Sequence, residues 1–111
     1  MKIIYNKHLP CRGYIAINIC GVVFANEKYR PLVDKTKQHE AIHTSQGKEL
    51  LWIFFYLWYG IEWVIRMIQY RKKKEAYYNI SFEREAYAND FNMGYLENRK
   101  WYAFIGYLKS V

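Results

Sequence analysis

Three short apolar stretches near the amino terminus have the length and composition of β-strands. Residues 2–5, 14–19 and 22–25 are rich in isoleucine, valine and aromatic side chains, and isoleucines alternate with other residues in the second stretch. Gly21 separates the second stretch from the third and is suited to a turn. The pattern predicts a small antiparallel sheet of two or three strands.

A helical spacing replaces the strand pattern after Pro31. Asp34 is a candidate amino-terminal cap for a helix over residues 35–46. One side of that helix carries the positions His39, Ile42, His43, Gln46 and Leu50. The two histidines are therefore expected to face the interior beside an aliphatic residue, and Gly47 is expected to permit a bend or a cap.

The most hydrophobic part of the chain is residues 50–61, which contain no charged side chain. This run is shorter than the roughly 20 residues that a helix needs to cross a bilayer. Glu62 and Arg66 follow it at a spacing of four residues and could pair on one helix face. We interpret the segment as a helix buried against the sheet and the preceding helix. Its tryptophans and the basic residues 71–74 keep peripheral membrane contact through residues 50–74 as the alternative.

A further amphipathic helix is expected over residues 81–98, after a basic loop. Its apolar stripe contains the positions Phe82, Glu85, Asn89, Met93 and Leu96. A carboxylate on that stripe is costly to bury unless it is bound to a metal or paired with a basic residue. Glu85 is therefore interpreted as a metal ligand, with a buried salt bridge as the alternative. Glu83 lies about 200° around the helix from Glu85 and is expected to be solvated.

These elements predict a single α+β domain over residues 1–111. A small antiparallel sheet at the amino terminus is followed by the histidine-bearing helix, the aromatic-rich helix and a helix that bears the glutamates. Residues 101–109 are expected to form a short terminal helix or an extended tail that packs its aromatic side chains on the domain.

The composition adds a basic balance, with 17 lysines and arginines against 10 acidic residues and a formal net charge of +7. Such a charge favours polyanions, either nucleic acid or an anionic membrane surface. No nucleic-acid-binding motif accompanies it, so a nucleic-acid partner is not expected. Cys11 and Cys20 are too few for a disulfide scaffold and, with His8, lack the spacing of a zinc finger. They are interpreted as reduced thiols in a cytoplasmic protein, with association to a membrane as the alternative.

The strongest chemical signal is the pattern His-Glu-x-x-His at residues 39–43. Residues four apart on a helix lie on one face, so His39 and His43 can reach the same metal ion. Glu40 can serve as general base toward a water in the open position of a tetrahedral zinc site. Such a site needs a third protein ligand, and Glu85 is the preferred candidate.

Two motifs, at residues 36–46 and 81–91, resemble the catalytic core of gluzincin metallopeptidases. The first contains Thr-Lys-Gln-His-Glu-Ala-Ile-His and the second contains Phe-Glu-Arg-Glu-Ala-Tyr-Ala-Asn. The nearest similarity is to CAAX prenyl protease and HtpX-like membrane peptidases and to the small single-domain minigluzincins. The resemblance implies a zincin-like fold and Zn²⁺ as the cofactor.

Carried over to this chain, the resemblance makes His39, His43 and Glu85 the zinc ligands and Glu40 the general base. Asn89 stands where many members of the family have an aspartate that orients a zinc-bound histidine. An amide can accept the hydrogen bond of a ring N–H but lacks the charge that strengthens the ligand. Asparagine in place of aspartate is therefore expected to lower the activity more than the zinc binding.

The leading hypothesis is a zinc-dependent peptidase acting on a peptide or protein substrate. The substrate would add as a strand to the sheet within residues 21–26. Tyr77, Tyr78 and Tyr87 are candidates to stabilise the oxyanion. The alternative is a non-catalytic, zinc-stabilised interaction domain associated with a membrane. A third hypothesis is a basic membrane-surface or nucleic-acid binder in which the metal is incidental.

Overall fold

The computed structural model describes residues 2–9 and 14–108. Strands β1 (Lys2–Asn6), β2 (Ala16–Ile19) and β3 (Val22–Asn26) form one sheet in the order β1-β3-β2. β2 is antiparallel to β3, whereas β1 is parallel to β3. The chain reverses once between β1 and β2 and again between β2 and β3, so the first and third strands run the same way. The sheet is therefore mixed, and the prediction of an antiparallel sheet is wrong for β1.

The β2–β3 connection is the turn that Gly21 indicates. Cys20 and Gly21 both have positive φ angles, of 50° and 91°. Backbone of this kind favours glycine, because a side chain is strained there. β3 is the central strand, since β1 pairs with one edge and β2 with the other. An added substrate strand therefore cannot pair with residues 22–26 in this sheet, and that part of the prediction is wrong.

Helix α1 (Asp34–Glu49) packs against β2 and carries both histidines. Asp34 is its first residue and Val33 is the capping position, one residue from the prediction. The Asn18 side chain of β2 donates hydrogen bonds to the Glu40 carbonyl at 3.0 Å and to Thr44 Oγ1 at 2.8 Å. These bonds tie the strand to the middle of the helix.

α1 continues through Gly47 to Glu49, so the predicted bend or cap at Gly47 is wrong. The glycine is instead required by packing. A β-carbon at this position would lie 2.2–2.5 Å from ring atoms of Trp52. The chain turns after the helix through Leu51 and Trp52, both at positive φ, and this turn folds the indole back over Gly47.

Helix α2 (Ile53–Tyr70) is not the buried helix that the sequence predicts. Its buried residues are Phe55, Glu62 and Arg66, while many of its aliphatic side chains are exposed. Glu62 and Arg66 pair at 3.3 Å, as their spacing predicts. Both glutamate oxygens also accept hydrogen bonds from Ser81, at 2.6 Å each. The side of α2 that carries Phe55 and the Glu62–Arg66 pair thus faces the domain, and its aliphatic side faces outward.

The predicted helix over residues 81–98 is broken into two. α4 (Ser81–Asn89) ends well before α5 (Tyr95–Asn98), and a short helix α3 (Lys73–Tyr78) takes up half of the predicted basic loop. Short 3-10 helices span Glu27–Tyr29 and Ala103–Tyr107. The second of these packs on α4 and places Phe104 in the core. The core of this half contains Phe55, Ile80, Phe82 and Phe104.

No single helix within residues 2–9 and 14–108 combines the length and the apolar composition that a bilayer crossing requires. α1 and α2 meet that requirement only when they are counted together, across a bend of 111°. Cys20 is a free, exposed thiol, and Cys11 lies outside the described residues.

Candidate metal centre

The two histidines of the His-Glu-x-x-His pattern point into the domain from one face of α1. Their Nε2 atoms lie 3.1 Å apart, and both side chains are buried. This follows from the helical spacing, which stacks residues four apart on one side. The first part of the predicted site is therefore in place.

The third member of the site is the acidic residue Glu83, from the first turn of α4. Its Oε1 lies 3.1 Å from Nε2 of His39 and 3.1 Å from Nε2 of His43. His39, His43 and Glu83 form a buried group whose ligand atoms all lie within 4.8 Å of one another, close enough to hold one metal ion. The expectation that Glu83 is solvated is wrong.

Glu85, the expected third ligand, lies in a separate buried cluster. Its Oε2 is 2.6 Å from Nε of Arg99, and its Oε1 accepts a hydrogen bond from Gln46 Nε2 at 3.0 Å. Arg99 also pairs with Glu49 at 2.9 Å. The side chain of Glu85 has no exposed surface. The structure shows the salt bridge that was the alternative for Glu85, so its assignment as a metal ligand is wrong.

The extent of α4 explains why Glu85 does not face the histidines. The predicted apolar stripe runs through Met93 and Leu96, but α4 ends at Asn89 and neither residue belongs to it. Within α4, residues on two sides are buried, because the helix lies between α1 and the 3-10 helix at Ala103–Tyr107. Glu83 faces the histidines on one side, and Glu85 faces Arg99 on the other.

The other ring nitrogen of each histidine has its own acceptor. Nδ1 of His39 lies 3.2 Å from Asp90 Oδ2, and Nδ1 of His43 lies 2.7 Å from Gln46 Oε1. The Gln46 amide is oriented by its Nε2, which donates to the Phe82 carbonyl and to Glu85. Acceptors at both Nδ1 atoms place the ring protons there and leave both Nε2 lone pairs directed at Glu83.

Asn89 does not contact either histidine. Its amide donates to the Glu85 carbonyl at 2.8 Å and to the Tyr107 hydroxyl at 3.1 Å. The carboxylate that orients a histidine is its neighbour Asp90, so the assignment of that role to Asn89 is wrong. Sequence reasoning missed Asp90, although it lies seven residues, about two helical turns, after Glu83.

The chemistry of the three converging atoms fits a divalent metal. The two Nε2 atoms and Oε1 of Glu83 lie as close to one another as hydrogen-bonded atoms do. When the ring proton of each histidine is on Nδ1, none of these three atoms carries a proton to donate. Such a set is stable only with a cation among its atoms, either a proton or a metal. Two histidines and a glutamate are a ligand set that zinc takes in catalytic sites.

The charges of the site act on one another strongly. Burial disfavours the charged form of His43, but the Glu83 carboxylate outweighs it and raises the pKa of His43 to about 9. Burial likewise opposes ionisation of Glu83, yet the two histidines hold the pKa of its carboxyl well below the usual range. Burial also raises the pKa of Glu40, an effect that the nearby histidines partly offset. A raised pKa suits a carboxylate that must accept a proton near neutral pH.

A cavity of about 370 Å³ opens beside His39 and Glu40. Its wall includes residues 14–16, at and just before the start of β2, and the aromatic rings of Tyr77, Tyr78 and Tyr87. The Tyr87 ring lies 4.3 Å from that of His39, centroid to centroid. All three tyrosines that the sequence suggested therefore border the cavity.

Tyr59 of α2 is a site residue that sequence reasoning missed. Its hydroxyl donates a hydrogen bond of 2.7 Å to Oε2 of Glu83. Burial and the Glu83 charge raise the pKa of Tyr59 well above its usual value, so the hydroxyl keeps its proton. The bond holds Oε2 and leaves Oε1 toward the histidines. The signal was hidden because Tyr59 lies in the aromatic run, among residues of the same type.

The chain was compared with protein family models, with curated protein sequences and with solved structures, and none of them matches it.

Proposed function

We propose that this protein is a zinc-dependent peptidase. The observation that carries the proposal is the convergence of three lone-pair-bearing atoms, from His39, His43 and Glu83, beside a cavity whose wall includes His39 and Glu40. Metal ligands, a general base and space for a substrate are the parts that hydrolysis of a peptide bond requires. The resemblance of the two sequence motifs to gluzincins supports the same reaction, with Glu83 in the place of Glu85.

The roles of the residues follow from their contacts. Zinc bound by the three ligands would polarise the scissile carbonyl and lower the pKa of the attacking water. Glu40 accepts the proton of that water and passes it to the leaving amine. Asp90 and Gln46 hold the imidazoles in orientation through Nδ1, and Tyr59 does the same for the Glu83 carboxylate.

We also propose where an extended substrate would lie. Within the part of the chain that is described, β2 pairs only with β3, so its other edge is available. Residues 14–16, at and just before the start of β2, line the same cavity as His39 and Glu40. A peptide added along β2 would form main-chain hydrogen bonds and pass His39 and Glu40. This edge replaces residues 21–26 as the proposed binding strand.

The test combines metal content with hydrolysis. Protein purified without added zinc is expected to contain about one zinc per chain and to cleave members of a mixed peptide library, as read by mass spectrometry. Glu40→Gln is expected to retain the zinc and lose cleavage by at least about a hundredfold, because general-base catalysis contributes on that scale. Glu97→Gln, the same change at an exposed position, is the matched control and should cleave as the wild type does.

A non-catalytic zinc-stabilised domain is the second candidate, and the burial of all three ligands favours it. A structural site is saturated by protein ligands, and its loss unfolds a small domain. Chelation should then abolish the folded state, whereas chelation of a peptidase should abolish cleavage and leave most of the fold. Zinc-loaded wild type that cleaves no peptide and unfolds on chelation would favour this candidate over the peptidase.

A further inference from the structure

The inward side of helix α2 packs aromatic residues on the core around a buried Glu62–Arg66 pair, whereas its aliphatic residues face outward. Glu62 and Arg66 are each only 5% exposed, and they lie against Ser81 and the carbonyl of Leu108. A surface helix of a protein in water carries polar residues on its outward side. The outward side of α2 carries apolar residues instead.

The outward residues form one continuous stripe, which we call the apolar face. At 100° per residue the stripe is about 100° wide, and it extends for about 21 Å along the helix. Its side chains are between 47% and 72% exposed, and it contains no polar residue. The apolar face consists of Phe54, Leu57, Ile61, Val64, Ile65 and Ile68.

No element within the described residues covers this face. An uninterrupted aliphatic patch of this kind is unfavourable in water, since each buried side chain of this size contributes on the order of 1.5–3 kcal/mol. Contiguous exposed patches on soluble domains mark sites of association. A groove of about 360 Å³ along the same side, between α2 and Leu108, adds a recess lined mainly by apolar atoms.

Charge at the carboxyl-terminal end of α2 identifies the partner. Arg71, Lys72, Lys73 and Lys74 follow the helix directly, and all four are exposed. Glu75 follows them in the sequence and pairs with Lys72 at 3.9 Å. An aliphatic stripe that ends in a run of basic residues matches an anionic lipid surface, whose acyl region and headgroups present these two properties side by side.

We propose that α2 docks in the plane of an anionic membrane, with its apolar face at the acyl chains and residues 71–74 at the lipid phosphates. A second copy of the chain fits less well, because each copy has a formal net charge of +7 and the two would repel each other. The proposal does not depend on the chemistry of the metal site, which uses a different set of side chains.

The test is sedimentation with unilamellar vesicles of two compositions. One contains phosphatidylcholine alone, and the other also contains about 30% phosphatidylserine, which gives a strongly anionic surface. Wild type is expected to bind the anionic vesicles and to release them as salt rises. Phe54→Ser and Ile61→Ser are each expected to weaken binding by about tenfold, from the apolar area withdrawn from lipid. Phe91→Ser is the matched control, because Phe91 is 72% exposed but lies outside α2, and it should bind as wild type does.

A second pair of variants tests the headgroup contact. Lys72→Gln/Lys73→Gln is expected to weaken binding to anionic vesicles by about 25-fold, at about fivefold per lysine. Lys28→Gln/Lys100→Gln removes the same charge from exposed lysines elsewhere and should have a much smaller effect. Each of three results would overturn the proposal: no vesicle binding by wild type, an equal loss in Phe91→Ser and Phe54→Ser, or a dimer in solution that Phe54→Ser dissociates.

Discussion

The carboxylate of Asp90 lies 3.2 Å from Nδ1 of His39, on the side of the ring opposite to Glu83. Both residues are buried, so the contact is weakly screened by water. The neighbouring Asn89 has its amide on Glu85 and Tyr107 instead. One step along the chain therefore separates a residue that orients the site from one that does not.

Replacing Asp90 with asparagine should lower zinc affinity by about 10–100-fold, because the charge that increases the basicity of the His39 ring is lost. Competition with a chromogenic chelator measures the change. Asn89→Ala is the control and should leave zinc affinity unchanged. A loss of affinity in Asn89→Ala alone would return the orienting role to that residue.

The two glutamates of α4 should separate metal binding from stability. Glu83→Gln is expected to abolish stoichiometric zinc binding, since a ligand charge is lost. Glu85→Gln should retain zinc but lower the free energy of unfolding by about 3 kcal/mol, because Arg99 keeps only Glu49 as a partner. Elemental analysis and urea denaturation of the two proteins provide the comparison. Zinc lost from Glu85→Gln and retained by Glu83→Gln would contradict the ligand set.

The metal-free protein should lose stability as pH rises from about 6.5 to 9. The pKa of His43 is raised from its ordinary value of 6.5 to about 9 in the folded chain by the Glu83 carboxylate. The stability that protonated His43 contributes is therefore fully present below the pKa of this residue in the unfolded chain. It is lost as pH rises through the pKa in the folded chain. Urea denaturation in the presence of a chelator should show the decline.

Glu83→Gln is the control for this pH dependence, because the Glu83 charge is what raises the pKa of His43. Its unfolding free energy should change much less over the same pH range. The lowered pKa of Glu83 itself acts only at acid pH, since stability from a depressed carboxyl is lost as pH falls. Unchanged stability of the metal-free wild type between pH 6.5 and 9 would contradict the His43–Glu83 ion pair.

Two glycines in helices should respond oppositely to alanine. Gly47→Ala is expected to destabilise the protein by about 1–3 kcal/mol, because the new methyl group meets the Trp52 ring. Gly60→Ala, in α2, meets no atom within 4 Å and should stabilise the protein by up to about 1 kcal/mol. Thermal unfolding of the two variants and the wild type shows whether each substitution stabilises or destabilises the protein. A stable Gly47→Ala protein would mean that the indole does not pack on α1.

The sequence by itself was sufficient where the determining interactions are local. The strands at residues 2–6 and 22–26, the turn at Gly21 and the helix that stacks His39 over His43 all depend on residues within a few positions of one another. The same holds for the Glu62–Arg66 pair, which lies within a single helix. Helical spacing alone determines which of these side chains share a face.

The tertiary structure decided the rest, because contacts between distant segments do not follow from local periodicity. Arg99 pairs with Glu85, and Glu83 lies against the histidines, because α4 packs between α1 and the carboxyl-terminal segment and buries two of its sides. A single apolar stripe in the sequence cannot describe α4, because this helix is buried on two sides. The outward orientation of α2 is likewise decided by tertiary contacts, since Glu62 and Arg66 find partners inside the domain and their helix turns its aliphatic side out.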